Sequence, residues 1–319
     1  MRSRSSLHVC LVLILGLIGN FPWNLPAQKT SEKLPVATAM RNVHYHFTDS
    51  ILIDIRWVDG RLVAEGAHEF PIFDDANSFR LVIDSANMAI TADAITHLLN
   101  EYTFAAHDAP LKKLTVSITA DKVKVKGSLH TKGDIPFETE GTLAATDDGK
   151  IRIHATKIRA AHLPAKGIMD LFGIEIADLV KTNKVPGLTV EKDDLILDPQ
   201  HLFPPPAIEG KVSAVTLHGD SIVMTFGNSK ATAKPPLRDV ANYMAYRGGT
   251  LRFGKLTMSD TDMILIDENQ RDPFDFYLSH YKEQLVAGYS RTTRENGLLV
   301  YMPDHSTLKH GGRNEVPAK

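Results

Sequence analysis

A regular alternation of apolar and polar residues over 111–159 limits the fold of this chain more than any other feature. Leu114, Val116 and Ile118 alternate with hydroxyl residues, and three further segments repeat the alternation. A period of two places all the apolar side chains on one face of a β-strand. Turn residues separate the segments, the last of them at 147–149. The pattern predicts a four-stranded antiparallel meander with one apolar and one solvated face.

Two amphipathic helices are predicted on either side of this meander. Thr91 can cap the first, and Ile95, Leu98 and Leu99 follow it at the spacing of one helix face. Pro164 suits the first turn of the second helix. The apolar stripe of that helix consists of Ile168, Leu171, Phe172, Ile176, Leu179 and Val180. The predicted fold class is α+β, with a long curved antiparallel sheet wrapping one or two amphipathic helices.

Further elements are predicted before and after this region. Asp59-Gly60 lies between two strand-like runs within 42–64, and this dipeptide favours a two-residue hairpin. Strand-like runs resume from Leu188 to Phe226, and a helix is predicted from Pro273 to Val286. The predicted divisions are a signal peptide at 1–27, a β-sheet and helix domain at 28–227, a linker at 228–239, a smaller C-terminal α+β segment at 240–306 and a loose tail at 307–319.

The first 27 residues are predicted to be an export signal. Arg2 and Arg4 precede an apolar stretch from Val9 to Ile18. That stretch is about half of the 20 residues that a membrane-spanning helix needs. Cleavage is predicted near Ala27, with a periplasmic or otherwise extracytoplasmic location in a bacterial envelope. An uncleaved anchor and a cytoplasmic chain with an apolar start are the alternatives.

Composition excludes several classes of site. The single cysteine, Cys10, lies inside the predicted signal, so the mature chain would contain no thiol. Disulfide scaffolds, thiolate zinc sites, iron–sulfur clusters and cysteine nucleophiles are therefore excluded together. The formal net charge of −2 is unlike that of a nucleic-acid-binding domain, and no nucleic-acid partner is predicted.

The sequence contains no recognised catalytic motif. It has no nucleophile elbow, no phosphate-binding loop and no dinucleotide fingerprint. Asp260, Asp262 and Asp267 suggest a calcium loop, but the glycine and terminal glutamate of an EF-hand are missing. His44 and His46 share one strand face and would need a third ligand to hold a metal. We predict no catalysis, no metal and no cofactor; a hydrolase with an unmarked acidic or histidine site remains the alternative.

The apolar faces of sheet and helix can be arranged in two ways. A sheet that curls around such a helix can leave an elongated apolar groove, and ten acyl methylenes buried there would gain roughly 8 kcal/mol gross. Alternatively, the faces close on one another, and the protein is a structural or adaptor protein with a partner on 240–305. Three basic residues near the C-terminus are most simply a solvated surface, with peripheral contact to anionic headgroups as the alternative: Arg291, Arg294 and Lys309.

A series of short segments occurs in a fixed order over roughly 88–227. They are Ile90-Thr91-Ala92-Asp93, the 114–158 meander, Leu163-Pro164, Leu188-Thr189-Val190, Leu197-Asp198-Pro199, Leu202-Phe203-Pro204 and Ile208-Glu209-Gly210-Lys211-Val212. This order resembles the LmeA-like bacterial phospholipid-binding family of the tubular lipid-binding superfamily. The resemblance implies an extracytoplasmic, non-enzymatic fold in which a curved sheet wraps a helix and holds acyl chains.

The resemblance supplies no catalytic set and no lipid-contact motif. The candidate lipid-binding residues are therefore taken from the two apolar stripes: Ile95, Leu98, Leu99, Leu171, Phe172 and Ile176. The sequence predicts an exported envelope protein that binds or carries phospholipid or another acyl lipid in an elongated apolar groove.

Overall fold

A computed structural model describes most of the chain. The described residues are 34–130, 134–160, 163–164, 185–191, 194–228, 230–231 and 233–308. The predicted signal peptide lies outside them, as do Lys309 and the predicted stripe residues Leu171, Phe172 and Ile176.

The described residues are mostly β-strand, with few short helices. The strands are β1 (Val36–His46), β2 (Leu52–Ala64), β3 (Phe79–Thr91), β4 (Leu111–Thr119), β5 (Lys122–His130), β6 (Asp134–Ala145), β7 (Ile151–Ala160), β8 (Leu163–Pro164), β9 (Leu188–Glu191), β10 (Asp194–Leu197), β11 (Ala207–Glu209), β12 (Val212–His218), β13 (Ser221–Gly227), β14 (Tyr243–Gly248), β15 (Leu251–Phe253), β16 (Leu256–Met258), β17 (Thr261–Asp267), β18 (Phe274–Tyr277), β19 (Tyr289–Thr292) and β20 (Leu298–Met302).

The helices of the described chain are short. They are α1 (Ala92–His97), α2 (Tyr281–Ala287) and α3 (His305–Leu308), with a π-helical segment at Leu98–Thr103 and 3₁₀ turns at Ala76–Ser78 and Pro199–His201. Within the described ranges, no helix has the length and apolar character that crossing a bilayer requires.

Two sheets contain nearly all of these strands. The first has eleven strands in the order β12-β13-β3-β2-β1-β14-β17-β20-β19, with β11 beside β3 and β18 beside β1. The second has seven strands in the order β4-β5-β6-β7-β10-β9, with β8 beside β7. Strands β15 and β16 form a separate small hairpin.

The predicted meander is confirmed by β4 to β7, which pair antiparallel in succession. Its apolar positions include Leu114, Val116 and Phe137, which are buried. Register shifts interrupt the β4–β5 and β6–β7 pairs, and such bulges increase the local twist of a sheet. An antiparallel sheet of the chain curls into a half-barrel, so the sheet part of the predicted fold class is present.

The hairpin predicted at Asp59-Gly60 is wrong. Strand β2 continues through both residues, and the chain reverses instead after Phe47, whose N–H donates to the Ile51 carbonyl at 2.9 Å. The pairing of β2 with β3 shifts register between Asp59 and Gly60. A Cβ on Gly60 would overlap the Val82 carbonyl oxygen of β3. This glycine therefore permits a close strand approach and not a turn.

The helix predicted from Pro273 to Val286 is only partly correct. Its first part is the strand β18, which pairs parallel with β1, and only the later part forms α2. Phe274 and Phe276 are both fully buried, two residues apart, as a strand requires. The apolar residues of this segment fit both the period of an α-helix and the period of a β-strand. Pairing with β1 favours the strand.

The segment after the predicted linker extends the first sheet. Strand β14 pairs antiparallel with β1, and β17 continues the sheet on its far side. The described residues of 228–239 form no regular helix or strand. Residues on both sides of the predicted linker therefore contribute to the same sheet.

Candidate functional site

An apolar cavity of about 190 Å³, partly open to solvent, lies between the two sheets and the first helix. Strands β4 to β7 provide one wall, including Leu114, Val125 and Ala155. Strands β3 and β13 provide another, with Ile90 and Met224. Apart from two threonines, every described lining residue is apolar. A cavity of this composition favours a hydrocarbon ligand over a polar one.

Three of the six candidate lipid-binding residues line this cavity. Ile95, Leu98 and Leu99 lie together on the helical segment that forms one wall. Leu98 is buried, whereas the other two are half-buried. The remaining three candidates, on the predicted second helix, lie outside the described residues.

The start of α1 fixes the direction of this helical wall. The predicted cap is confirmed, because the Thr91 hydroxyl accepts a hydrogen bond from the Ala94 N–H at 3.1 Å. After His97 the helix continues with π-helical spacing to Thr103. Leu98 and Leu99 follow Ile95 by three and four residues and so lie on the same side of the segment.

Two polar side chains attach the same segment to the edge of the second sheet. Asn100 Nδ2 donates to the Leu114 carbonyl at 2.8 Å, and its Oδ1 accepts from the Leu114 N–H at 2.9 Å. Thr96 Oγ1 accepts from the Val116 N–H at 2.9 Å. These bonds satisfy backbone groups of β4, which is the edge strand of its sheet. They hold the helical wall across the apolar face.

Replacing Asn100 with alanine is expected to loosen this wall. Two hydrogen bonds to Leu114 and one to the Thr96 carbonyl would be lost, and at about 1 kcal/mol each the free energy of unfolding should fall by about 2–3 kcal/mol. Urea denaturation would measure the loss, and the Leu114 amide should exchange its hydrogen faster. The exposed Asn77, whose side chain makes no hydrogen bond among the described residues, provides the control Asn77→Ala. Equal stability of the two variants would contradict the attachment.

One lining residue presents an unsatisfied polar atom. The hydroxyl of Thr103 is buried and has no hydrogen-bond partner among the described residues. It lies at the end of the π-helical segment and lines the cavity. A buried hydroxyl without a partner costs about 1–3 kcal/mol, so a polar group of a ligand at this position would be stabilised.

Sequence reasoning missed the lining residues on the other elements. Leu195, Leu197, Ile222 and Met224 alternate at a period of two, which identifies an inward strand face. The period shows which side chains of a strand face inward, but it does not show which other element they will pack against. Phe203 also lines the cavity, but it follows a 3₁₀ turn, so no periodic sequence pattern indicated its position.

The two histidines considered as metal ligands differ in burial and in their neighbours. His46 is buried, its Nε2 lies 2.8 Å from Asp275 Oδ1, and its ring stacks on Tyr277 at 3.7 Å between centroids. His44 is partly exposed, with its Nε2 3.9 Å from Asp54 Oδ1. Within the described chain, these two histidines do not meet a third ligand.

Among the described residues, the three aspartates considered for calcium do not form a group of converging ligands. Asp262 and Asp267 lie near opposite ends of β17. Asp262 lies 3.6 Å from the Arg247 guanidinium, whereas Asp267 is buried. Burial raises the pKa of Asp267 to about 7, and the nearby Asp304 carboxylate adds to the rise. Asp267 therefore lies in a buried, hydrogen-bonded environment and not in a solvated calcium-binding loop.

Comparison with known proteins gave no match to this chain: no protein-family model, no curated protein and no solved structure was found to be similar. The resemblance to the LmeA-like family therefore stays a prediction. The apolar cavity is the feature of this protein that bears on its function.

Proposed function

We propose that this protein is an exported protein of the bacterial envelope that binds or carries a phospholipid or another acyl lipid without catalysing a reaction. The observation that supports this proposal is the apolar cavity beside α1. Its walls are the two sheets and the helical segment whose apolar stripe the sequence had indicated. The occupant we propose is an acyl chain.

The size of the cavity limits how much of a lipid it could hold. An engineered cavity of about 150 Å³ binds benzene, so a cavity of about 190 Å³ has room for part of one acyl chain. Burying about six methylenes would gain roughly 5 kcal/mol gross. Association itself costs about 4 kcal/mol or more, so contacts outside the cavity must contribute to a stable complex.

The polar end of the lipid would supply those further contacts. The Thr103 hydroxyl is the one polar atom of the described lining that is buried without a partner. A carboxyl, ester or phosphate oxygen could accept a hydrogen bond from it. A single-chain lipid with an oxygen-bearing headgroup therefore fits this cavity better than an alkane does.

A tryptophan placed inside the cavity should weaken lipid binding. Ala155 lines the cavity from β7, and Ala155→Trp would fill most of its volume. We expect the affinity for a fluorescent fatty acid to fall at least about 10-fold, which corresponds to about 1.4 kcal/mol. Fluorescence titration of the purified mature protein measures this, and mass spectrometry of extracted lipid identifies a natural ligand.

The matched control is Arg152→Trp. Arg152 lies on the same strand, is exposed and does not line the cavity, so its replacement should leave the affinity unchanged. Circular dichroism would establish that both variants are folded. If the wild type takes up no fatty acid and yields no acyl lipid on extraction, the proposal is wrong and the closed-core adaptor alternative is favoured.

A further inference from the structure

Three potential metal ligands converge at the C-terminal end of the described chain. His280 immediately precedes α2, Glu283 lies in the first turn of α2, and His305 begins α3. One ligand atom from each residue lies within 4.8 Å of the other two. None of the three lines the apolar cavity. Among the described residues, this is the group of three potential metal ligands whose ligand atoms lie that close together.

The glutamate lies between the two histidines. Glu283 Oε1 lies 3.3 Å from His280 Nδ1, and Glu283 Oε2 lies 3.7 Å from His305 Nε2. Ligands about 2.0 Å from a tetrahedral zinc ion are about 3.3 Å apart from one another. The two glutamate–histidine separations are close to this value, and the ligand atoms of all three residues lie within 4.8 Å of one another.

The histidine rings are held in place by stacking. His305 is only 2% exposed, and its ring lies 4.2 Å from the Tyr277 ring and 4.9 Å from the His280 ring, measured between centroids. Tyr277 in turn stacks on His46. This column of rings limits how far the two histidines can turn. A site whose ligands are already oriented loses less entropy when it binds an ion.

An outer carboxylate completes the pattern. Asp49 Oδ1 lies 3.4 Å from His280 Nε2, whereas Glu283 approaches the other ring nitrogen, Nδ1. In zinc proteins, a ligating histidine commonly donates its other ring N–H to a carboxylate, which fixes the tautomer. Asp49 is placed to do this when Nδ1 of His280 binds the metal.

We propose that His280, Glu283 and His305 form a binding site for a divalent transition metal, with Zn²⁺ as the expected ion. Two imidazole nitrogens and one carboxylate oxygen suit Zn²⁺ better than Ca²⁺ or Mg²⁺, which prefer oxygen ligands. Three protein ligands leave the fourth tetrahedral position to water. The ion would join α2 to α3 and would stabilise the C-terminal part of the protein.

The test is titration of the chelator-treated full chain with Zn²⁺ alone, followed by calorimetry. We expect one Zn²⁺ per chain with high affinity and an unfolding temperature that rises with Zn²⁺. Because His305 is buried, the test variants are His280→Gln, at a partly exposed residue, and Glu283→Gln, at an exposed one. Each should weaken binding by at least about 100-fold, and Asp49→Asn by about 10-fold to 100-fold.

His68→Gln is the matched control. His68 is also partly exposed beside a carboxylate, with its Nε2 3.7 Å from Asp75 Oδ2, but among the described residues it belongs to no group of three converging ligands. Its replacement should leave Zn²⁺ affinity and the Zn²⁺-dependent rise in unfolding temperature unchanged. Less than one bound Zn²⁺ in the wild type, or equal affinity in the wild type and Glu283→Gln, would overturn the proposal.

Discussion

Replacing Asp59 with alanine is expected to lower the free energy of unfolding by about 3 kcal/mol or more. Asp59 Oδ1 lies 2.6 Å from Arg41 Nη2, and the two side chains are only 7% and 13% exposed. Asp59 Oδ2 also accepts the Ala233 N–H at 3.0 Å, and Arg41 donates to the Ala233 carbonyl at 3.1 Å. Removing the carboxylate leaves a desolvated guanidinium and loosens the segment that leads to β14. Urea denaturation would measure the loss.

An exposed ion pair in the same sheet provides the control. Arg61 Nη1 and Asp84 Oδ1 are 2.5 Å apart, but the side chains are 41% and 58% exposed. Solvent screens such a pair, so Asp84→Ala should cost only about 0.2–1 kcal/mol. If both variants lose the same stability, burial is not what makes the Arg41–Asp59 pair important.

Asp267→Asn is expected to change how stability depends on pH. Asp267 is 1% exposed and accepts hydrogen bonds from the Asn269 N–H at 2.8 Å and from Asn242 Nδ2 at 3.2 Å. Burial raises its pKa from 3.8 to about 7 in the folded protein. Between these two values the folded state retains a proton that the unfolded state has lost. Stability from this group is therefore fully present below pH 4 and is lost as the pH rises to 7.

The expected size of this loss is roughly 4 kcal/mol, because each pKa unit corresponds to about 1.4 kcal/mol. The measurement is denaturation of the wild type and Asp267→Asn at several pH values between 4 and 8. Subtracting the two unfolding free energies at each pH removes the contributions of the other titrating groups, which both proteins share. The difference should shift in favour of the variant as the pH rises and become constant above about pH 7. Parallel curves would contradict a protonated Asp267 in the folded protein.

The meander shows where local sequence is sufficient. Its alternation extends over four consecutive segments, and residues suited to tight turns separate them. Gly149 adopts a φ of +88° in the last turn, which glycine does at little cost. Each strand pairs with its neighbour in sequence, so no information about distant residues is needed to place it.

Asp59-Gly60 and Phe274 to Tyr277 show where local sequence is not sufficient. The Asp-Gly pair has the composition of a hairpin turn, but here Gly60 allows β3 to approach and Asp59 pairs with Arg41. The apolar residues of β18 fit a helical period as well as a strand period. Pairing with β1, from the far end of the chain, decided both the strand and its register.

The candidate site divides in the same way. The spacing of Ile95, Leu98 and Leu99 predicted one apolar face, and these residues do lie together. The apolar face of the meander was also predicted from its alternation, and its residues line the cavity. No pattern in the chain indicated that β13, which contributes Met224, would complete the lining. The cluster of His280, Glu283 and His305 also had no local motif, because His305 comes from a different helix.

By itself, the sequence determined which side chains share a face, where the meander turns and how α1 begins, since these depend on residues a few positions apart. Only the tertiary structure decided which faces meet, which strands pair across the chain and whether space is left between them. Those outcomes depend on packing between distant segments, and the period of a single segment contains no information about its partner.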